Sequence, residues 1–329
     1  TDNIKKVSAE NLLQKLSQYQ IPNTKYDLVL IGTVHRYFNV FEKVAEQFNT
    51  SIICHNLNFV KASNLNLLSS IFKEDFQFRL KLLLKEGLLR KSEVYQKAKN
   101  FLVLDENLVK ENYKTLPIFY TKFSQKSENE IFTIVIPGAV SQKRRDYKSV
   151  IKKLKNLELN FEESELRRSE TFVENTLSEK GSSVGTTQNL EIIFLGKAQG
   201  KELEMLQDFE QSKPENISIK YFTEKVPQDV FDDYMQKADV LWCPIQQETE
   251  FFSQKELYGI TKMSGNIGDA IKYGKSAIFP ENYPSKYSFI IPEKGSLGDF
   301  LFTKKDVDFS EFSKEKVLQE LEKTIFALL

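Results

Sequence analysis

Short apolar runs alternate with amphipathic helical segments along the chain, and this alternation limits the possible folds more than any other feature. Runs such as YDLVLIG (26–32) and EIFTIVIPG (130–138) are nearly continuous in apolar residues and end in glycine. That pattern is typical of buried parallel strands. The segments that follow them place apolar residues at helical spacing. The sequence therefore predicts an α/β fold built on parallel sheets with helices on both faces.

The alternation occurs in two blocks, separated by the polar segment SQKSENE (124–130), which we interpret as a linker. We predict an N-terminal Rossmann-like domain over residues 1–126, a C-terminal one over 127–311, and a final amphipathic helix, 312–329, that packs back on the first domain. LPIFYTKF (116–123) is predicted as the fourth strand of the first block, ITKMSGNIGDAIKYG (260–274) as a helix, and the residues from 248 that precede it as a loop. Ligands bind at the carboxyl ends of strands in such sheets, so residues directly after each strand are the functional candidates.

Charge and cysteine content narrow the functional classes. Lysine plus arginine and aspartate plus glutamate each total 46, so the formal net charge is zero, which argues against a general nucleic-acid-binding surface. Cys54 and Cys243 both lie in apolar runs, which favours two buried free thiols in a reducing compartment. No run reaches the roughly 20 apolar residues that a membrane span needs. We therefore expect a cytoplasmic protein.

Two histidines follow predicted strands of the first block. His35 comes after Gly32-Thr33-Val34, and His55 ends the run SIICH. A histidine near neutrality can donate or accept a proton, which suits the binding of a sugar hydroxyl or of a developing charge. The alternative is a histidine that caps a helix or satisfies a loop carbonyl.

A glycine and a basic triplet follow the first strand of the second block. Gly138 ends the strand, and Lys143, Arg144 and Arg145 stand at the start of the next predicted helix. Cations beside the amides of a helix N-terminus form a strong anion site. The alternative is a solvated basic turn.

The segment from Glu248 to Gly268 has the highest density of candidate binding residues. Small residues there would let the backbone approach a diphosphate, and a lysine adds a positive charge. Neither GxxxxGK[ST] nor GxGxxG occurs, and a plain loop-to-helix turn would explain the glycines alone. The turn after strand ISIKYF adds backbone groups that could contact a base. The candidates from these two segments are Thr223, Val226, Glu256, Tyr258, Gly259, Lys262, Ser264 and Gly265.

The order of these motifs resembles that of the bacterial retaining glycosyltransferases of family 4, which have the GT-B fold. The matching segments are IGTVH, IICHN, PGAVSQKRRDY, KADVLWCPI and ELYGITKMSG. The resemblance implies two Rossmann-like domains whose parallel sheets face across a cleft, with the acceptor on the first and the donor on the second. It further implies transfer of a sugar from a UDP- or GDP-sugar to a glycan or lipid-linked acceptor, with retention, in cell-surface polysaccharide biosynthesis. No metal ion or other cofactor is expected.

The resemblance also assigns roles to four residues as the catalytic set. Arg145 would stabilise the leaving diphosphate, Glu256 would orient the sugar hydroxyls, and His55 would contact the sugar. Lys262 is absent from the common family pattern and would stabilise the diphosphate in place of a missing cation. The donor-binding set would comprise Gly32, Thr33, Gly138, Arg144, Thr223, Val226, Tyr258, Gly259, Ser264 and Gly265.

Two positions depart from the family pattern. Ala139 stands where the family has a cation, and Ser264 where it has a second glutamate. These departures support a rival hypothesis, a catalytically weakened partner subunit with the same fold. A two-lobed solute-binding protein is a second rival.

The stretch from Phe59 to Asn100 is basic and amphipathic. It contains 9 lysines and arginines against 4 acids, interleaved with Phe72, Phe76 and Phe78. Such a stretch is compatible with docking on an anionic membrane surface or a lipid-linked acceptor, which would place the protein peripherally at the inner face of the cell membrane. The alternative is ordinary core packing with a solvated lysine face.

Overall fold

The computed structural model describes residues 28–69, 76–110, 112–123, 131–156, 189–295 and 307–329, with four positions near the N-terminus, 8, 11, 12 and 14. The chain divides into two compact units. The first contains Thr1–Ile118, Glu248–Ser264 and Lys314–Leu329, and the second contains Phe119–Gln247 and Gly265–Ser313. The predicted linker 124–130 and Phe72 lie outside the described residues.

The helices and strands follow one another along the chain as the alternation predicts. Up to residue 123 they are β1 (Val29–Gly32), α1 (Phe38–Gln47), β2 (Thr50–Ile53), α2 (Leu57–Lys61), α3 (Asn64–Ser69), α4 (Phe76–Leu84), a 3-10 turn (Leu88–Arg90), α5 (Lys91–Lys97), β3 (Asn100–Val103), a 3-10 turn (Glu106–Leu108) and β4 (Lys114–Thr115). Beyond it they are β5 (Phe132–Pro137), helical residues 147–156, β6 (Leu190–Lys197), α6 (Gly200–Ser212), β7 (Ile217–Phe222), α7 (Gln228–Lys237), β8 (Val240–Trp242), β9 (Glu248–Phe251), β10 (Gln254–Leu257), α8 (Gly265–Tyr273), β11 (Ala277–Pro280), β12 (Ile290–Glu293), a 3-10 turn (Ser310–Phe312) and α9 (Lys314–Phe326).

The first unit contains a parallel sheet with the order β1-β2-β3-β4. Because all four strands run the same way, their carboxyl ends lie at one edge of the sheet. Helices pack on it through a core that includes Phe38, Ile52, Phe59, Leu82 and Val103. This edge carries the residues that follow β1 and β2, among them Thr33 and His55.

The second unit contains a six-stranded parallel sheet with the order β12-β11-β8-β5-β6-β7. Numbered from β5, this is the doubly wound order 3-2-1-4-5-6, and the order reverses between β5 and β8. The core packs around Ile134, Ile136, Phe194 and Trp242, all fully buried. The prediction of two parallel, Rossmann-like sheets is confirmed. The reversal makes the carboxyl ends of β5 and β8 the expected ligand position in this unit.

The compact units group the chain differently from the predicted domains in two main segments. The second unit begins at Phe119, not at residue 127. Residues Glu248–Ser264 lie in the first unit, whereas the sequence placed them in the donor domain. Phe251 and Phe252 pack against the core of the first unit, which accounts for this grouping. Helix α9 is also in the first unit, where Leu321 packs beside the buried Leu328.

Three secondary-structure predictions are wrong in full or in part. The helix predicted over 260–274 begins only at Gly265. Residues 116–123 are not a strand, because β4 ends at Thr115 and the chain then leaves the sheet. Residues 248–257 are not a loop but an antiparallel hairpin of β9 and β10. Its turn places Phe252 and Ser253 in left-handed conformations, with φ of 51° and 57°. Hairpin turns of this type usually contain Asn-Gly or Asp-Gly, so the sequence carries no turn signal here.

None of the described helices combines the length and the apolar character that crossing a membrane requires.

Candidate functional site

A tight turn follows β5 at the reversal point of the second sheet. Gly138 has a φ of 101°, and its amide donates to the carbonyl of Leu195 at 3.0 Å. Strand β6 lies so close that a Cβ on Gly196 would stand 2.2 Å from the carbonyl oxygen of Gly138. Glycine is therefore required at both positions, by conformation at Gly138 and by backbone contact at Gly196.

The guanidinium of Arg145 lies against this turn. A Cβ on Gly138 would stand 2.5 Å from Nη2 of Arg145. Nη1 donates to the carbonyl of Ala139 at 3.4 Å, and Nη2 donates to Oδ1 of Asn266 at 3.2 Å. Nε is buried and has no hydrogen-bond partner among the described residues. A buried donor of this kind has capacity left for a further acceptor.

Helix α8 begins beside Arg145. Asn266, in its first turn, is buried and donates to the carbonyl of Pro137 at 3.5 Å and to Oδ2 of Asp269 at 3.2 Å. Burial raises the pKa of Asp269, opposed by its hydrogen bond from Asn266 and by the charges of Lys272 and Arg145. No ion pair joins Arg145 to a carboxylate in the described ranges. The turn, the guanidinium and the helix N-terminus thus form one cationic, donor-rich position.

The other second-unit candidates lie apart from this cluster. The side chains of Lys143 and Arg144 are exposed, and Arg144 contributes its backbone carbonyl to the amide of Gln246 at 2.9 Å. Thr223 and Val226 follow the edge strand β7, which β6 separates from β5. No hydrogen bond joins them to Arg145 among the described residues. Gly265 begins α8, with open space where a Cβ would stand.

In the first unit, Thr33 ties the ends of β1 and β2 together. Its hydroxyl donates to the carbonyl of Ile53 at 3.0 Å and accepts from the amide of His55 at 2.7 Å. Gly32, at the end of β1, has open space where a Cβ would stand. His35 lies with Nδ1 at 3.0 Å from the carbonyl of Thr33, a contact of the kind given as the alternative for it, and a functional role of His35 stays a prediction. Because the amide of His55 donates to the hydroxyl of Thr33, the position of His55 is fixed through its own backbone.

Glu256 caps helix α2. It is fully buried, and its carboxylate oxygens accept from the amides of Phe59 at 2.8 Å and Asn58 at 3.3 Å. The amide of Leu57 donates to the carbonyl of Thr261 at 2.8 Å, so Glu256 and Thr261 together satisfy the first three amides of this helix. Burial raises the pKa of Glu256 despite these hydrogen bonds. The predicted contact of Glu256 with a sugar stays a prediction, but the carboxylate has a structural role as well.

Lys91 satisfies the opposite end of α2. Its Nζ donates to the carbonyls of Val60 at 2.8 Å and Ala62 at 2.7 Å. Burial lowers the pKa of Lys91 to about 8. An acid at the N-terminus and a base at the C-terminus both complement the helix dipole. Helix α2 directly follows His55 and Asn56, so these two buried groups fix the chain beside His55.

Lys262 and its neighbours lie in the same unit as His55. Nζ of Lys262 is 5.4 Å from the ring centroid of Tyr258. Gly259, with a φ of 76°, donates its amide to the carbonyl of Lys262 at 2.8 Å, and Ser264 is buried. Desolvation and, less strongly, the charge of Lys262 lower the pKa of His55, which favours a neutral imidazole at neutral pH.

Sequence reasoning missed two residues of the second-unit cluster, Gly196 and Asn266. Asn266 directly follows Ser264-Gly265, and a polar side chain in the first turn of a helix after a strand end was the available signal. Gly196 ends an apolar run in the same way as Gly138 does, so it was visible as a strand-ending glycine. Its contact with the Gly138 backbone was not visible. Groups of three or more potential metal ligands do not occur in the described ranges.

We expect Glu256→Gln to destabilise the protein by about 1–3 kcal/mol, because an amide cannot accept from both backbone N–H groups without presenting its own donor to one of them. Glu250→Gln, on the exposed face of the same hairpin, should change the free energy of unfolding by less than about 0.5 kcal/mol. Urea unfolding followed by circular dichroism measures both. Equal losses of unfolding free energy in the two variants would contradict the capping role of Glu256.

No family model matches the sequence, and neither does any curated protein. Among solved structures, the Candida albicans trehalose-6-phosphate phosphatase N-terminal domain has a TM-score of 0.51 and 12% identity, over 97% of this chain and 74% of that one. The UDP-forming trehalose-phosphate synthase of Burkholderia xenovorans has a TM-score of 0.49 and 8% identity, over 97% of this chain and 76% of that one. The pneumococcal O-GlcNAc transferase GtfA, in complex with UDP and GlcNAc, has a TM-score of 0.47 and 12% identity. The match covers 92% of this chain and 56% of that one.

The similarity to the Candida albicans domain, together with the two parallel sheets, decides the fold class. The chain has a GT-B fold. It spans just over half the length of the pneumococcal transferase. At such low identity the likeness extends to the fold alone, and membership of glycosyltransferase family 4 stays a prediction.

Proposed function

We propose that this protein is a glycosyltransferase that moves a sugar from a nucleotide diphosphate sugar to a glycan or lipid-linked acceptor. The observation that carries the proposal is Arg145. Its guanidinium lies at the reversal point of a doubly wound sheet, against the Gly138 turn and beside the first turn of α8, with Nε buried and unpartnered among the described residues. That is the position where such sheets bind ligands, and the group offered there suits a diphosphate.

The chemistry follows from where negative charge develops. In glycosyl transfer the bond between the anomeric carbon and a diphosphate oxygen breaks, and the diphosphate leaves with increased charge. Arg145 and the α8 amides supply fixed positive charge and N–H donors for it, and preorganised donors of this kind stabilise a transition state. This arrangement is consistent with transfer that needs no metal ion, as the sequence resemblance implies.

Residues of the first unit complete the proposal. A neutral His55 can donate or accept a hydrogen bond with a hydroxyl of the transferred sugar. Lys262 adds positive charge in the same unit, and Tyr258 and Ser264 keep the donor-binding roles that the resemblance gives them. Retention of configuration, a UDP or GDP donor, a role in cell-surface polysaccharide synthesis and a cytoplasmic location are the finer parts of the proposal. They rest on the resemblance of the motifs.

Thermal unfolding with nucleotides tests this function. We expect UDP or GDP, and sugars carried on the same nucleotide, to raise the Tm by several degrees, since a ligand at 100 times its Kd stabilises by about 2.7 kcal/mol. Uridine and guanosine, which lack the diphosphate, should leave the Tm unchanged. No shift with any nucleotide would overturn the proposal. A shift without sugar transfer or donor hydrolysis would identify a binding subunit and not an enzyme.

A further inference from the structure

Three exposed leucines mark the outer surface formed by α3, α4 and the 3-10 turn before α5. Leu65 on α3 is 76% exposed, Leu84 on α4 is 72% exposed, and Leu89 in the turn is 49% exposed. Phe78 on α4 is also exposed. The side chain of Asn64 donates to the carbonyl of Leu89 at 2.6 Å, which brings α3 and the turn together. We call the surface of Leu65, Phe78, Leu84 and Leu89 the leucine face.

Helix α4 packs Leu82 into the core but also carries exposed apolar side chains. It buries Arg79 while exposing Phe78 and Leu84. The guanidinium of Arg79 donates to Oγ of Ser253 at 3.3 Å and lies 5.2 Å from the ring centroid of Phe252. An amphipathic surface helix normally directs its apolar side chains to the core and its charges to solvent. Contiguous exposed apolar side chains usually mark a binding surface.

The exposed charges that the structure describes between residues 57 and 90 are all positive. Lys61, Lys81 and Lys85 are exposed. Glu86 is the one acid in the described residues between 57 and 90, and it is buried and paired with Arg36 at 2.8 Å and with Lys81 at 3.9 Å. Positive charge among exposed leucines complements an anionic apolar partner. It opposes a symmetric dimer through the same face, in which lysines would meet lysines.

We propose that the leucine face docks on an anionic lipid bilayer. The leucines and Phe78 enter the boundary between headgroups and acyl chains, and the three lysines contact lipid phosphates. This inference does not depend on the proposed function, because it concerns a different part of the chain from Arg145 and is read out by binding alone.

Vesicle flotation tests the proposal. The protein should float with vesicles that contain phosphatidylglycerol, not with pure phosphatidylcholine, and high salt should weaken the binding. Lys61→Glu/Lys81→Glu/Lys85→Glu should lower the partition coefficient by about 100-fold, since each lysine near such a surface contributes about 1 kcal/mol. Leu65→Ser/Leu84→Ser/Leu89→Ser should lower it by about tenfold or more.

Matched controls lie elsewhere on the surface. Leu318→Ser/Phe326→Ser changes exposed apolar residues of α9, and Lys148→Glu/Lys201→Glu/Lys294→Glu changes exposed lysines of the second unit. Both should bind vesicles as the unaltered protein does, and all variants should keep its circular dichroism spectrum and Tm within a few degrees. Equal binding to neutral vesicles, no binding to anionic ones, or equal losses in face and control variants would overturn the proposal. Self-association that the leucine variants abolish, without vesicle binding, would instead assign the face to a second copy.

Discussion

Arg145→Met should lower kcat/KM for sugar transfer by about 100-fold or more, the largest functional loss that we expect from a single substitution. The variant removes the positive charge and all five N–H donors from the Gly138 turn while keeping an apolar stem of similar length. Asn266 and the carbonyl of Ala139 each lose one hydrogen bond in the same change. The loss should therefore appear in nucleotide binding as well as in turnover.

Arg145→Lys separates charge from geometry. A lysine keeps one positive charge but cannot reach Asn266 and the Ala139 carbonyl with one planar group, so we expect an intermediate loss, about tenfold. Lys148→Met, an exposed lysine on the helical residues 147–156, is the control and should change kcat/KM by less than about twofold. Isothermal titration with the nucleotide and a transfer assay give both quantities. An Arg145→Met variant with near-normal nucleotide affinity would contradict the proposed site.

Arg144→Met decides between the two neighbouring arginines. The sequence analysis includes Arg144 in the donor-binding set and Arg145 in the catalytic set, and the structure leaves Arg144 exposed while the guanidinium of Arg145 lies against the turn. We expect Arg144→Met to weaken the free energy of nucleotide binding by less than about a fifth of the loss that Arg145→Met causes. The same titration measures it.

The strands could be predicted from the sequence because each has a local pattern of consecutive apolar residues. β5, β6 and β8 are continuous apolar runs, and parallel strands covered on both faces must be apolar at every position. Arg145 was also accessible, because a strand-ending glycine followed by cations at a helix start is a pattern within ten residues. The order 3-2-1-4-5-6 then follows from common topological rules.

The hairpin and its partners could not be predicted, because they depend on distant parts of the chain. Glu256 bonds to the amide of Phe59 across 197 positions, and no local pattern shows that pairing. Phe251 and Phe252 pack within 5.2 Å of the Phe59 ring, measured between centroids, which draws residues 248–264 into the first unit. Sequence order alone therefore did not show that Glu256 bonds to the amides of helix α2.

Gly196→Ala should produce the largest structural effect of a single methyl group. The added Cβ would stand 2.2 Å from the carbonyl oxygen of Gly138, 2.6 Å from its carbonyl carbon and 3.0 Å from Cα of Ala139. These are backbone atoms of a turn that β6 and Arg145 hold in place, so the clash cannot be relieved by a rotamer change. We expect a loss of about 3 kcal/mol in the free energy of unfolding, at the upper end of overpacking effects.

The same substitution should also weaken the anion site in the molecules that remain folded. Relief of the clash requires the Gly138 turn to move, and Arg145 lies against that turn, so nucleotide affinity should fall together with stability. Gly32→Ala is the control for stability, because nothing lies within 4 Å of its added Cβ, and it should cost less than about 1 kcal/mol. Urea unfolding and nucleotide titration at low temperature measure the two effects separately. A Gly196→Ala variant that is destabilised but binds nucleotide normally would show that the turn does not position Arg145, and one with normal stability would contradict the close approach of β6 to the turn.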